Sequence, residues 1–219
     1  MVGNRIVAMA AVLVLLLACG ASVQAAKPYE AQDFSKLKGM KGFSDKALDL
    51  HFTLYQGYVK NANLLWDELQ KMAEQNQAAT PAFAELKRRF GWEFDGMRLH
   101  ELYFGNLGGK EPLAPDSRLM KKIVENFGSY DKWAADFKAT GAMRGIGWAV
   151  LFEDPQTGRL FNVWINEHDV GHLAGGQPLL IMDVFEHAYL PDYGLKRGEY
   201  IQAFFDNIDW KAVEGRSGK

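Results

Sequence analysis

The chain is almost without cysteine. Its 219 residues include a single one, Cys19, set in an apolar run near the N-terminus. A chain that has shed that run can form no disulfide, and any metal it holds must be bound through oxygen and nitrogen. Histidine is also scarce, with five residues: His51, His100, His168, His172 and His187. No basic run occurs and the formal charge is −2, so the electrostatic footprint of a nucleic-acid binder is missing. There is no His-Glu-x-x-His motif of the metallohydrolase kind, and no pair of helices carries Glu-x-x-His as a di-iron bundle would. Internal repeats and low-complexity tracts are absent.

What is present is enough for a folded core. Hydrophobic residues make up 48% and aromatics 13% of the chain, a globular composition with room for one or two domains. The N-terminus reads as an export signal: Arg5, then a continuous apolar stretch from Ile6 to Ala18. At roughly 13 residues this stretch is too short for an ordinary membrane span. Val23-Gln24-Ala25 offers a small-residue cleavage site. Residues 1–25 are therefore expected to be a signal peptide, without a twin arginine, and the protein to be exported to the periplasm or envelope of a bacterium. Leu16-Leu17-Ala18-Cys19 resembles a lipoprotein cleavage box, and membrane attachment would follow only from lipidation of Cys19.

Residues 26–43 read as an extended arm. Ser44-Asp45 forms an N-cap for a long helix reaching about Gln77, with Leu48, His51, Leu54, Tyr55, Tyr58 and Val59 on one face at spacings of three and four. Thr80-Pro81 starts a second helix, to about Leu107, which Gly108-Gly109 ends. The two pair as an antiparallel hairpin, residues 26–111. A linker with Pro112 and Pro115 leads to a second unit, 112–219, with helices near 117–126 and 130–140. A hairpin of strands follows at 147–152 and 160–165, then a third strand ending at Asp183, and a closing helix at 199–205. This is an α+β chain: a helical hairpin, then an α/β domain with a small antiparallel sheet, and a metal site between them.

Met182-Asp183-Val184-Phe185-Glu186-His187-Ala188-Tyr189 carries the most information. An Asp and a His four residues apart, in an apolar and aromatic run, can reach one centre, and a buried Asp is rare unless paired or bound to metal. With His51 and His100 on amphipathic helices, a three-nitrogen, one-oxygen ligand set emerges that suits Fe, Mn or Zn. The residues alone leave open a redox enzyme, a hydrolase using metal-activated water, and a non-catalytic metal-binding protein.

At these residues the chain resembles the iron/manganese superoxide dismutase family, over roughly residues 45–213. Asp183 to Tyr189 is similar to the family's Asp-x-Trp-Glu-His-Ala-Tyr. Gly145-Ile146-Gly147-Trp148-Ala149 resembles its Gly-x-Gly-Trp-x-Trp, Arg197 to Tyr200 its Arg-x-x-Tyr, and Asn207 to Trp210 its Asn-x-x-Trp. The resemblance implies metal ligands His51, His100, Asp183 and His187, holding one ion per subunit, Fe preferred over Mn. The implied reaction converts superoxide to dioxygen and hydrogen peroxide. It further implies Tyr58 as gate and proton relay and His168 as its partner, since Gly96 leaves empty the helical position that some members fill with Gln. Trp148 becomes a pocket wall, Arg197 a cation that steers superoxide, and Glu186 a residue reaching the partner's His187 in a homodimer, with a tetramer also compatible. His172 matches no essential position and reads as surface or packing. The chain departs from the pattern at Phe185, Val150, Tyr55 and Leu190. The last two suggest a polar dimer bridge replaced by Tyr55 packing on the partner's Leu190.

Overall fold

A computed structural model describes residues 27–218. The expected signal peptide, its expected cleavage site and Cys19 lie outside the described residues. Seven helices and a three-stranded sheet follow in order: α1 (Asp45–Glu74), α2 (Pro81–Gly105), α3 (Arg118–Phe127), α4 (Tyr130–Ala142), β1 (Gly147–Glu153), β2 (Leu160–Asn166), β3 (Gln177–Asp183), α5 (Glu186–Tyr193), α6 (Arg197–Phe205) and α7 (Trp210–Glu214). Among the described residues no helix is long and apolar enough to cross a membrane.

The hairpin forms for the reasons its sequence gives. The Ser44 hydroxyl accepts from the Ala47 N–H at 3.0 Å, and Thr80 caps α2 ahead of Pro81. The predicted face of α1 is the buried one, with Leu48, His51, Tyr55, Tyr58 and Val59 all inside. The second helix stops at Gly105, before the glycine pair, because Asn106 takes over. Its side-chain amide donates to the carbonyls of Tyr103 and Ile181 and its Oδ1 accepts from the Ile181 N–H. One wholly buried side chain thus caps α2 and ties it to β3.

The sheet order is β2-β1-β3, antiparallel throughout. Every residue of the central β1 is buried, since the hairpin lies to one side and α4 to the other. Trp148 stands opposite Asp183 in the β1–β3 register. Residues of the hairpin and of the sheet form one contiguous core.

Three elements depart from or add to expectation. The arm is docked rather than merely extended: Phe34, Leu37 and Phe43 are buried, with a short 3-10 turn at Ser35–Leu37. Apolar residues spaced three and six apart carry no regular period, so this packing leaves no local signal. Two short helices, α5, which the Asp-x-x-x-His spacing allows as a strand end running into a helix, and α7, carry no periodic signal of their own. α5 carries Pro191 within eight residues and α7 is five residues long, both below the length at which periodicity speaks.

Candidate metal centre

Four side chains from four elements meet. His51 comes from the second turn of α1, His100 from the last turns of α2, Asp183 from the end of β3, and His187 from the first turn of α5. One ligand atom from each lies within 4.8 Å of all the others. Asp183 Oδ2 is the hub, 3.2 Å from His51 Nε2, 3.2 Å from His187 Nε2 and 3.6 Å from His100 Nε2. Its other oxygen accepts from the Phe185 N–H at 2.8 Å, and the Tyr200 hydroxyl donates to the Asp183 carbonyl at 2.6 Å. Asp183 is therefore fixed through its backbone carbonyl and through Oδ1, with Oδ2 turned to the imidazoles.

The decisive atom is His100 Nε2. His100 Nδ1 sits 2.6 Å from the Gly96 carbonyl, which can only accept, so the ring proton is on Nδ1. Nε2 then presents a lone pair, is fully buried and has no hydrogen-bond partner among the described residues. It faces a carboxylate oxygen that also carries lone pairs. Two acceptors opposed in a dry interior are costly unless a cation lies between them. A metal at about 2.0–2.2 Å from each donor matches these separations, so the residues fit the ion.

The protonation states agree. Burial pushes the Asp183 carboxyl up, but His187 and His51 beside it outweigh burial and hold it far below the usual carboxylate range. Burial lowers His51 against the pull of Asp183, and lowers His100 well below the ordinary imidazole value with help from His51. An anionic Asp183 and neutral imidazoles at His51 and His100 are ligand forms.

Behind the four lies a hydrogen-bonded ring. His168, fully buried rather than in a surface loop, places Nε2 2.8 Å from the Tyr58 hydroxyl, while Trp148 Nε1 donates to its Nδ1 at 3.1 Å. An indole N–H can only donate, so Nδ1 accepts and the His168 proton sits on Nε2, donated to Tyr58. The Tyr58 hydroxyl proton is left for a partner outside this pair. Its ring lies 5.0 Å from that of His100. Burial, then Asp183 and Glu93, push Tyr58 well above its usual value, while burial lowers His168 to about 4. Gly96 does more than leave a position empty: a Cβ there would stand 2.7 Å from the Tyr58 ring.

The remaining candidates are placed as follows. Trp148 meets His100 edge-on at 4.9 Å and walls the site. Glu186 is exposed and makes no hydrogen bond or ion pair among the described residues, and the His187 side chain beside it is 29% exposed. Arg197 Nη1 donates to the carbonyls of Met143 and Gly145, at the sheet end that bears Asp183, and burial lowers its pKa. His172 bonds the His168 carbonyl at 2.8 Å, a packing role. The Tyr55–Leu190 expectation needs correcting. Tyr55 is 1% exposed, and its hydroxyl donates to Glu101 and accepts from the Gln32 N–H, so the docked arm covers the surface a partner would need. The sequence reading missed Trp92, whose ring lies 4.4 Å from His168. Its position eight residues before His100, two turns along α2, was the available signal.

Comparison with known proteins agrees with this geometry. Residues 115–216 match the model for the C-terminal domain of iron/manganese superoxide dismutases. "Superoxide dismutase [Fe]" of Aquifex pyrophilus is 39% identical over 197 residues, 87% of this chain and 91% of that one. The chain belongs to the iron/manganese superoxide dismutase family. "Superoxide dismutase [Fe]" of Cupriavidus metallidurans is 38% identical over 182 residues, 81% of this chain and 89% of its own. "Superoxide dismutase [Mn] 2" of Haloferax volcanii is 37% identical over 166 residues, covering 76% and 82%.

Proposed function

We propose that this protein is a superoxide dismutase whose single redox ion is held by His51, His100, Asp183 and His187. The observation that carries the reading is the unpartnered lone pair of His100 Nε2, buried 3.6 Å from Asp183 Oδ2. When bound, the ion supplies a one-electron couple, oxidising one superoxide to dioxygen and reducing a second to peroxide. The same ligands accept iron and manganese, and we put iron first.

The chain's residues do the rest. Asp183 brings an anionic oxygen into a shell of neutral imidazoles and so lowers the charge the protein presents to the ion. Peroxide leaves as hydrogen peroxide only after taking two protons. Tyr58, kept protonated by its raised pKa and oriented by the proton that His168 donates, is the group placed to pass one on. The neutral His168 keeps that orientation through the physiological range. Trp148 and Phe185 exclude bulk water. Arg197 holds positive charge at the same end of the sheet, where a small anion would be drawn in.

The active form is proposed to be a homodimer in which Glu186 bonds the partner's His187, a reading supported by the exposure of both residues at the rim of the centre. Export to the periplasm or envelope is proposed from the sequence of residues 1–25. Reconstitution tests the main reading. The purified chain loaded with iron or manganese should bind about one ion and consume superoxide. Binding without turnover would favour a non-catalytic metal protein.

A further inference from the structure

We propose that Trp92, acting through Glu167, is a positioning residue that holds His168 in register with Tyr58. The proposal rests on the relay role of those two residues given above. β2 ends at Asn166, and the next residue, Glu167, has φ 50. That left-handed backbone conformation is unusual for a residue other than glycine and persists only where surroundings enforce it. The turn sends Glu167 outward and His168 into the interior.

Several contacts enforce it. The Glu167 N–H donates to the Ile146 carbonyl at 3.3 Å, and the Asn166 N–H to the Val170 carbonyl at 2.7 Å. These fasten the turn to its own sheet and loop. The Trp92 indole N–H, donating to Glu167 Oε2 at 3.1 Å, fastens it to α2, the helix that carries His100. His172 and Asp95 make a looser tie at 3.6 Å.

Trp92 is itself clamped. Its ring lies 4.4 Å from that of His168 and 5.6 Å from that of Tyr58. The Arg89 guanidinium stacks 4.0 Å from its centroid, and Glu93, buried one turn along α2, binds Arg89 through both Nε and Nη2 at 2.8 and 2.6 Å. A strained turn, one hydrogen bond to an aromatic and a cation holding that aromatic make a continuous support. It runs from the outer surface of α2 to the ring whose Nε2 touches Tyr58. Without the indole N–H the turn keeps its backbone bonds but loses its closer tie to α2, and the His168 ring shifts with it.

The test uses the metal-loaded full chain and four single variants. Trp92→Phe keeps ring bulk and loses the donor, Glu167→Ala loses the acceptor, Glu167→Gln retains an acceptor oxygen, and His168→Ala is the reference. W92F and E167A are expected to keep about one ion per chain and an unchanged KM while losing about tenfold in turnover, the low end for an outer partner of a metal site. Their crystal structures should show the His168–Tyr58 contact opened beyond about 3.5 Å. E167Q should stay within about twofold of the parent, and the W92F/E167A double variant should be no worse than either single. A closed 2.8 Å contact in W92F, or losses that multiply in the double variant, would overturn the proposal. Parent-like turnover in H168A would instead sink the relay reading, and the W92F crystal structure would still decide whether Trp92 positions the ring.

Discussion

The four proposed ligands and the ring behind them are built differently. His51 and His100 project from the interiors of two long helices, and Asp183 and His187 flank a strand-to-helix junction two residues wide. Such positions are fixed by regular backbone. The outer ring of Tyr58, His168, Trp148, Trp92 and Glu167 depends on contacts between elements, and two of its members sit in the loop after β2. The inner ring defines which chemistry is available; the outer ring sets where protons and side chains point. Substitutions in the inner ring should abolish metal binding, and those in the outer ring should leave the metal and slow the reaction.

The largest contrast is expected from His100→Ala. Removing the side chain whose Nε2 has no other partner among the described residues should cost stoichiometric metal, measured by elemental analysis, and lower activity by more than about a hundredfold, beyond the usual cost of an outer partner. Trp148→Phe should keep the metal and lose about 10- to 100-fold in turnover, because His168 Nδ1 loses its donor and the tautomer that directs its proton to Tyr58 is no longer fixed. Metal loss in W148F would erase the distinction between the two rings.

Gly96→Ala comes next. The added methyl meets an aromatic ring at 2.7 Å, so either the ring or α2 must shift. Chemical denaturation should show a loss of about 1–3 kcal/mol, the usual cost of overpacking, together with reduced turnover at normal metal content. The smallest effect concerns pH. The His168 value falls from 6.5 to about 4 on folding. Between those values the unfolded chain takes up a proton that the folded chain refuses, so His168 favours folding fully above 6.5 and this contribution is lost as pH falls toward 4. In the metal-free protein, His168→Gln should reduce the slope of the stability-versus-pH curve across that window. An unchanged slope would mean that His168 is not buried as described.

The same division decides what the sequence disclosed. The helical hairpin, the three strands and the four ligands were legible because a 3.6-residue period, a period of two and an Asp-x-x-x-His spacing are local signals. His168 could be paired with Tyr58 only through family resemblance, since the backbone turn at Glu167 leaves no compositional mark. The docking of Phe34, Leu37 and Phe43, the burial of Tyr55 beneath that arm and the reach of Trp92 to Glu167 are long-range facts. No window of sequence contains both partners. Tyr55 shows the hazard: its position suggested an interface, but its hydroxyl is satisfied within the chain by Glu101 and Gln32.

Anomalous diffraction from crystals of the iron- or manganese-loaded chain tests the central claim most directly. The account predicts one strong peak per chain, within bonding distance of His51 Nε2, His100 Nε2, Asp183 Oδ2 and His187 Nε2. A peak elsewhere, or one that leaves His100 Nε2 without a bond, would contradict it.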